Sequence, residues 1–189
     1  MFKELGVFFK SWLRSPLQIG AIFPSSRDLA KAIVEQIPDE DDGLIIELGA
    51  GTGAITQALL DSGIDPQRLI IIERDDNFFL YLKKKFPELL IINGSAEHLE
   101  ELLDFKNHRV QAIVSSLPFM SMKQFQQWAI IKPCFRVLGY NAPFIQFTYS
   151  FSSPLPYKDF NLSAELKKRV FTNFPPASIW VYKNLYRNI

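Results

Sequence analysis

One cysteine, Cys134, stands in 189 residues, so no internal disulfide can staple the chain, and the composition fits a reducing compartment. Two histidines, His98 and His108, with no Cys-x-x-Cys pair, leave too little material for a structural zinc site. Nowhere do 18 apolar residues run together, which argues against a membrane-spanning helix. The first 15 residues mix Phe, Leu and Trp with Lys3, Glu4, Lys10 and Arg14, unlike the unbroken apolar stretch of a signal peptide. Charge of one sign is scarce too: the formal net charge is +1, whereas a nucleic-acid-binding surface calls for broad basicity.

The charge that is present is unevenly spread. Residues 1–34 carry five Lys/Arg against two acids, and residues 158–189 carry six against two. The stretch between holds ten against sixteen, so two basic ends flank an acidic body. Such an asymmetry fits termini that share a surface facing something anionic, and equally a chance distribution of solvated charge.

Short aliphatic runs alternate with helical spacing along most of the chain. Residues 44–48, 69–73, 89–93, 110–115 and 142–149 read as strands, and 52–63, 75–86, 96–103 and 121–138 as helices. Continuous apolar runs suit strands covered on both faces, and strand–helix alternation implies a doubly wound parallel sheet. Residues 169–174 and 178–183, split by Pro175-Pro176, read as a closing pair of strands. With no linker, repeat or low-complexity tract, 1–189 is expected to be a single α/β domain.

At the start, Phe2, Leu5, Phe9, Trp12 and Leu13 recur at helical steps, with Lys3, Lys10 and Arg14 elsewhere on the wheel. A helix over 1–15 with that pattern fits either a bilayer interface or packing on its own domain.

The most informative stretch is Ile45-Ile-Glu-Leu-Gly-Ala-Gly-Thr-Gly-Ala-Ile-Thr56. A strand runs through glycines into a helix, the arrangement that lets a ligand approach the backbone at the carboxyl edge of a sheet. Twenty residues past Gly53 the second strand ends at Glu73, placed to accept ribose hydroxyl protons. The stretch also satisfies G-x-G-x-x-A, the nicotinamide and flavin pattern. Glu47 argues against that use, because a carboxylate two residues before the first glycine repels a pyrophosphate. S-adenosylmethionine carries a sulfonium and an ammonium and no phosphate, so the same carboxylate attracts it. Gly94-Ser95-Ala96, after the third strand, falls where the adenine is expected, with Ser95 standing where many methyltransferases have Asp. Ser115-Ser116-Leu117-Pro118-Phe119, after the fourth, falls where acceptor and methyl group are expected to meet.

Beyond the glycine loop, Phe9-Lys-Ser-Trp-Leu-Arg-Ser-Pro16, Gly20-Ala-Ile-Phe-Pro-Ser-Ser26, Ser115–Phe119, Gln146-Phe-Thr-Tyr-Ser150 with Ser153-Pro154, and Asn173-Phe-Pro-Pro-Ala-Ser-Ile-Trp-Val-Tyr182 form a particular set. Together they resemble, over nearly the whole length, the bacterial phospholipid N-methyltransferases of the rhizobial, soluble type. These belong to the class I S-adenosylmethionine-dependent methyltransferase superfamily. The resemblance implies a Rossmann-like fold with a mostly parallel seven-stranded sheet, helices on both faces and an N-terminal amphipathic helix. It implies S-adenosyl-L-methionine as cofactor and conversion of phosphatidylethanolamine, through its mono- and dimethyl forms, toward phosphatidylcholine. The cofactor set it implies is Ser25, Ser26, Glu47, Gly49, Ala50, Gly51, Thr52, Gly53, Glu73, Arg74, Ser95, Ala96, Ser115 and Leu117. Two departures stand out: Leu138-Gly-Tyr-Asn141 replaces a usual Pro-Gly-Gly turn, and Ser116 occupies a position commonly Gly.

The lipid substrate favours the interfacial reading of residues 1–15, with Phe2, Phe9 and Trp12 entering the interface and Lys3, Lys10 and Arg14 meeting anionic headgroups. The expectation is therefore a cytoplasmic monomer, peripherally associated with the inner face of the cytoplasmic membrane, with no nucleic-acid partner. Methylation makes the acceptor a cation that aromatic faces can hold, so Tyr149 and Phe119, with Tyr140, are expected near it, beside Ser116. No side chain stands out as a general base. An RNA adenine N6-dimethyltransferase is the nearest rival reading, since Ser116–Phe119 also resembles that family's Asn-Leu-Pro-Phe/Tyr turn. A small-molecule methyltransferase and a non-catalytic scaffold are the others.

Overall fold

The computed structural model describes residues 27–39, 43–103, 108–172 and 175–185. The expected docking helix with Phe2, Lys3, Phe9, Lys10, Trp12 and Arg14, the cofactor candidates Ser25 and Ser26, and Asn173-Phe174 lie outside the described residues.

The described residues begin with helix α1 (Arg27–Val34) and strand β1 (Leu44–Leu48), then helix α2 (Ala54–Asp61) and β2 (Leu69–Glu73). Helix α3 (Asp76–Lys85), β3 (Leu90–Asn93), the short α4 (Leu99–Leu102) and β4 (Val110–Ser115) follow. Helix α5 (Gln124–Val137) leads to β5 (Phe144–Thr148), and β6 (Leu162–Val170) and β7 (Ala177–Asn184) close the order. The strands form one seven-stranded sheet in the order β3-β2-β1-β4-β5-β7-β6. β1 to β5 pair in parallel, whereas β7 runs antiparallel to both β5 and β6.

β1, β2 and β4 are aliphatic on both faces because both faces are covered. Ile45, Leu69, Ile71, Ala112 and Val114 pack with Leu29, Ile33, Ile55, Leu59 and Leu82 on the α1–α2–α3 side. Ile46, Leu48, Ile70, Ile72 and Ile113 pack with Leu99, Ile130, Ile131, Cys134 and Phe135 on the α4–α5 side. Each fully buried aliphatic side chain contributes about 1.5–3 kcal/mol, so this two-sided burial is what holds the sheet in the middle of the molecule. The strands reverse direction of approach at β1/β4: chain connections leave toward β2 and β3 on one side and toward β5 on the other. A crevice at the carboxyl edge is the geometric result, and ligands bind there in open α/β sheets.

The last two strands correct the expected pair. β6 starts at Leu162, seven residues before the expected 169, and β7 takes the place of the expected 178–183. Sequence periodicity missed it for a physical reason: β6 is the edge strand, and Lys167, Lys168 and Arg169 are all exposed. Charge on an outer strand discourages pairing with another chain and erases the apolar run of an interior strand. Helix α1, eight residues long, has no counterpart among the sequence expectations. The departure at 138–141 has its own explanation, since Asn141 sits at φ 64°, a left-handed conformation that Asn tolerates better than other non-glycine residues.

Candidate functional site

β1 ends in the glycine turn. Gly49, Gly51 and Gly53 have φ of 71°, 57° and 76°, all in the left-handed region where a side chain is strained. Their surroundings differ. A Cβ on Gly53 would meet a Phe86 ring carbon at 2.5 Å and a Leu82 methyl at 2.9 Å, so this glycine lets α2 close onto α3. A Cβ on Gly51 would meet nothing within 4 Å, so here the bare backbone faces open space.

Glu47 lies one position from the end of β1, on the sheet face that packs against α2. Its side chain is fully buried, and Oε2 accepts a hydrogen bond from the Thr56 hydroxyl at 2.7 Å. Oε1 has no hydrogen-bond partner among the described residues. Burial raises its pKa to about 7, assisted by the nearby Glu73 carboxylate and opposed by the Thr56 hydrogen bond. A buried carboxylate with one bare oxygen is costly unless a cation or donor completes it.

Glu73 ends β2 and is largely buried. Its Oε2 accepts from the Gly51 backbone N–H and its Oε1 from that of Asp75, both at 2.9 Å. The carboxylate thus braces the glycine turn and is aimed at it from the neighbouring strand. Asp75 caps α3 by accepting from the N–H groups of Asn77 and Phe78, and Arg74, beside it, is exposed. Ser95, half-buried, caps the 3-10 turn at Ala96–His98 by accepting weakly from Glu97 N–H at 3.4 Å. The Ala96 methyl is buried among the α4-side apolar residues, so only its backbone is left to border a ligand. Lys85 on α3 donates to the Thr52 carbonyl at 3.1 Å, fastening the far side of the turn.

Across β1, Ser115 is buried at the end of β4, and its hydroxyl accepts from Leu117 N–H at 3.3 Å. Ser116 N–H donates to the Leu48 carbonyl at 3.0 Å, which carries the β1–β4 pairing one step beyond the strands. A Leu117 methyl lies 2.8 Å from where a Cβ on Gly49 would be, so the two loops touch. The structure therefore brings together Glu47, the glycine turn, Glu73, Ser115, Ser116 and Leu117, with Ser95 and Ala96 on the loop after β3.

Two glutamines absent from the expected site set hold the Ser115–Phe119 turn in place. Gln127 of α5 donates through Nε2 to the carbonyls of Phe119 at 2.7 Å and Pro154 at 3.3 Å. Gln146 of β5 donates to the Leu117 carbonyl at 3.0 Å. Both side-chain oxygens are buried without a partner among the described residues. Gln124, Gln126 and Gln127 all fall in the first turn of α5 and only Gln127 is buried, so the sequence carries no signal that singles it out.

The aromatic candidates separate. Tyr149 is half-buried just past β5, against the α1–α3 side of the core and edge-on to Phe147 at 5.9 Å. That is the face on which Glu47 lies. Phe119 is a correction: its ring is 1% exposed and packs edge-on to Phe144 at 6.1 Å on the opposite side of the sheet. Pro118 and the following 3-10 turn rotate it inward, so it supports the turn and does not face an acceptor. Tyr140 is also corrected, because the turn before β5 puts it at the amino edge of the sheet, 71% exposed. His98 and His108 are exposed. No group of three metal-ligating side chains occurs among the described residues.

The strand order, with one reversed strand next to the outer edge, and the glycine turn braced by acids from β1 and β2 define the class. The fold is that of the class I S-adenosylmethionine-dependent methyltransferases. Over 97% of the chain it superposes on the whole of a TehB-like SAM-dependent methyltransferase from Corynebacterium glutamicum, with a TM-score of 0.59 at 16% identity. Among curated proteins, it is 29% identical over 150 residues to an ornithine lipid N-methyltransferase of Singulisphaera acidiphila, covering 77% of this chain and 78% of that one. It is also 25% identical over 178 residues to the ribosomal RNA small subunit methyltransferase A of a Hydrogenobaculum species, covering 94% of this chain and 61% of the relative. The match thus spans less than two thirds of that RNA-directed enzyme. No family model matches the chain.

Proposed function

We propose that the protein is an S-adenosylmethionine-dependent N-methyltransferase whose acceptor is the amine headgroup of a membrane lipid. The observation that carries the cofactor half is Glu47, a fully buried carboxylate with one bare oxygen beside the open backbone of Gly51. A cationic ammonium completes that carboxylate, and a pyrophosphate is repelled by it. The residues present fit the cofactor: Glu47 for the ammonium, the Gly49–Gly53 backbone for the amino-acid portion, Glu73 for ribose hydroxyls, and Ser95 and Ala96 beside the base. When bound, S-adenosylmethionine supplies an activated methyl on its sulfonium.

The chain's own residues do the rest. Gln146 and Gln127 fix the carbonyls of Leu117 and Phe119, so Ser116 is presented at the edge of the glycine turn. Tyr149, on the Glu47 face, offers a ring to the charge that builds on the acceptor nitrogen. The turns after β1 and β4, half-buried and in contact through Gly49 and Leu117, align the reacting atoms, which is where rate enhancement comes from when the donor is already activated. Docking through Phe2, Lys3, Phe9, Lys10, Trp12 and Arg14, and contact of Ser25 and Ser26 with the cofactor, belong to the same reading, as do a single domain, a monomer and peripheral attachment to a membrane. Among the described residues no helix is long and apolar enough to cross a membrane.

The similarity to an ornithine lipid N-methyltransferase over most of both chains favours a lipid acceptor, and the resemblance of the sequence motifs to phospholipid N-methyltransferases adds phosphatidylethanolamine as a candidate beside ornithine lipid. An RNA adenine is the second reading, favoured by the Ser-Leu-Pro-Phe turn and the RNA-directed relative. A methyl-transfer assay with labelled S-adenosylmethionine separates them. Vesicles of phosphatidylethanolamine or ornithine lipid with anionic lipid are expected to yield labelled lipid on chromatography. Label in small-subunit ribosomal RNA and none in lipid would overturn the lipid acceptor.

A further inference from the structure

The carboxyl edge of the sheet, where the site opens, is split in character. After β2 and β3 it presents exposed Arg74, Asp75, Asp76 and Glu97. After β4, β5 and β6 it presents large apolar side chains instead: Met120 is 56% exposed, Phe125 69%, Phe151 51% and Phe171 68%. The strand register places all of these at the same edge. Ser115 pairs with Gln146, Thr148 with Ser178, and Val170 with Ala177, so the segments following β4, β5 and β6 emerge side by side. Gln124 donates to Asp159 at 2.9 Å and Gln127 reaches the Pro154 carbonyl, which joins the start of α5 to the loop after β5.

The charges on this half are of one sign over long stretches. Residues 116–128 and 149–158 contain no Asp or Glu and include Lys123 and Lys158, both exposed. The Arg169 guanidinium lies over the Phe151 ring, 5.4 Å from its centroid, and stays exposed. The acids near the rim, Asp159 and Asp28, each accept a neutral hydrogen bond, from Gln124 and from the Thr172 hydroxyl. The four exposed apolar side chains, Phe125 on the first turn of α5 and the others on the segments after β4, β5 and β6, are interleaved with cations and serines. They match the layered chemistry of a bilayer interface, acyl boundary next to phosphate.

We propose that Met120, Phe125, Phe151 and Phe171, with Lys123 and Arg169, form a rim that seats the acceptor side of the site directly on an anionic membrane. The proposal rests on the lipid reading and adds to it an orientation: the sheet edge after β4–β6 faces the bilayer, while the acidic edge after β2 and β3 faces water. A lipid amine then reaches Ser116 and Tyr149 without leaving its leaflet.

The test uses the full chain carrying M120S, F125S, F151S and F171S together. Its melting temperature and S-adenosylmethionine affinity are measured beside co-sedimentation with vesicles of phosphatidylethanolamine and phosphatidylglycerol. Turnover is measured on those vesicles and on a monomeric short-chain phosphatidylethanolamine. The expected result is unchanged cofactor affinity, vesicle binding and vesicle turnover lowered about tenfold or more, and retained turnover on the short-chain lipid. Vesicle binding equal to that of the parent would overturn the rim. A parent that sediments with vesicles through these residues yet methylates no lipid would instead overturn the lipid acceptor and leave the rim standing. Should the fourfold variant misfold, a nitroxide on F171C serves, since Cys134 is fully buried. The label is expected to become lipid-immersed on vesicle addition. A label that stays in water, or is already covered without vesicles, would overturn the proposal.

Discussion

Replacing Glu47 by Gln is expected to make the ligand-free protein more stable while making it a poorer cofactor binder. The folded-state pKa of Glu47 is about 7 against an ordinary value of 4.5, with burial as the main cause. For an acid whose pKa is raised on folding, the native state holds the proton more tightly than the unfolded chain. The contribution of Glu47 to stability is therefore fullest below about 4.5, is lost as pH rises toward 7, and is flat above. At 1.36 kcal/mol per pH unit the ionised side chain costs about 3 kcal/mol at pH 8. Gln keeps an oxygen for the Thr56 hydroxyl and carries no charge. E47Q should thus melt roughly 6–12 °C higher than the parent at pH 8 without cofactor, and about equally at pH 4.5. The ionised parent is the form that attracts an ammonium, so its affinity for S-adenosylmethionine should rise up to tenfold per pH unit toward 7. The rise should end near pH 8, where an α-amino group loses its proton. Calorimetric melts across pH 4.5–8 and titrations across pH 5–8 measure both trends. An E47Q protein that is less stable at pH 8, or that binds S-adenosylmethionine as the parent does with the same pH profile, would show that Glu47 is neither a buried charge nor the ammonium ligand.

Other substitutions probe the turn and its supports. Gly51→Ala and Gly53→Ala both place a methyl at positive φ, but only the second collides with Phe86 and Leu82. Gly53→Ala should cost about 2–4 kcal/mol in thermal stability, whereas Gly51→Ala should cost about 1–2 kcal/mol and chiefly weaken cofactor binding, as titration will show. Gln127→Ala strips the Phe119 and Pro154 carbonyls of a buried donor, worth about 1–3 kcal/mol, and should lower kcat with little change in S-adenosylmethionine affinity. Tyr149→Ala should likewise lower turnover more than cofactor affinity, with Tyr149→Phe restoring most of it if the ring face is what matters.

Much of this architecture can be read from the chain because its signals are local. The aliphatic runs ending in Glu47, Glu73 and Ser115 mark strands buried on both faces, and a carboxylate before three glycines states its preference for a cation without any tertiary information. What escaped is what depends on the partner. β6 looks polar because it is an edge strand, and Lys167 to Arg169 mask its pairing with β7. Phe119 looks like a site residue from its place in the turn, but Pro118 rotates the ring into the core. Gln127 is eight residues from the Phe119 carbonyl it holds, and nothing in the pattern of α5 says which way its amide points. Glu47 itself was legible as a ligand for charge, whereas its bare Oε1 and its raised pKa follow from how tightly α2 and the sheet close around it.

The cofactor preference of the Glu47 site is tested most directly by isothermal titration of the full chain at pH 8 with S-adenosylmethionine and, separately, with NAD. Saturable one-to-one binding of S-adenosylmethionine is expected, weakened by roughly 1–3 kcal/mol in E47Q, with no measurable heat from the pyrophosphate-bearing dinucleotide. Tight binding of NAD, or absence of S-adenosylmethionine binding to a folded protein, would contradict that preference.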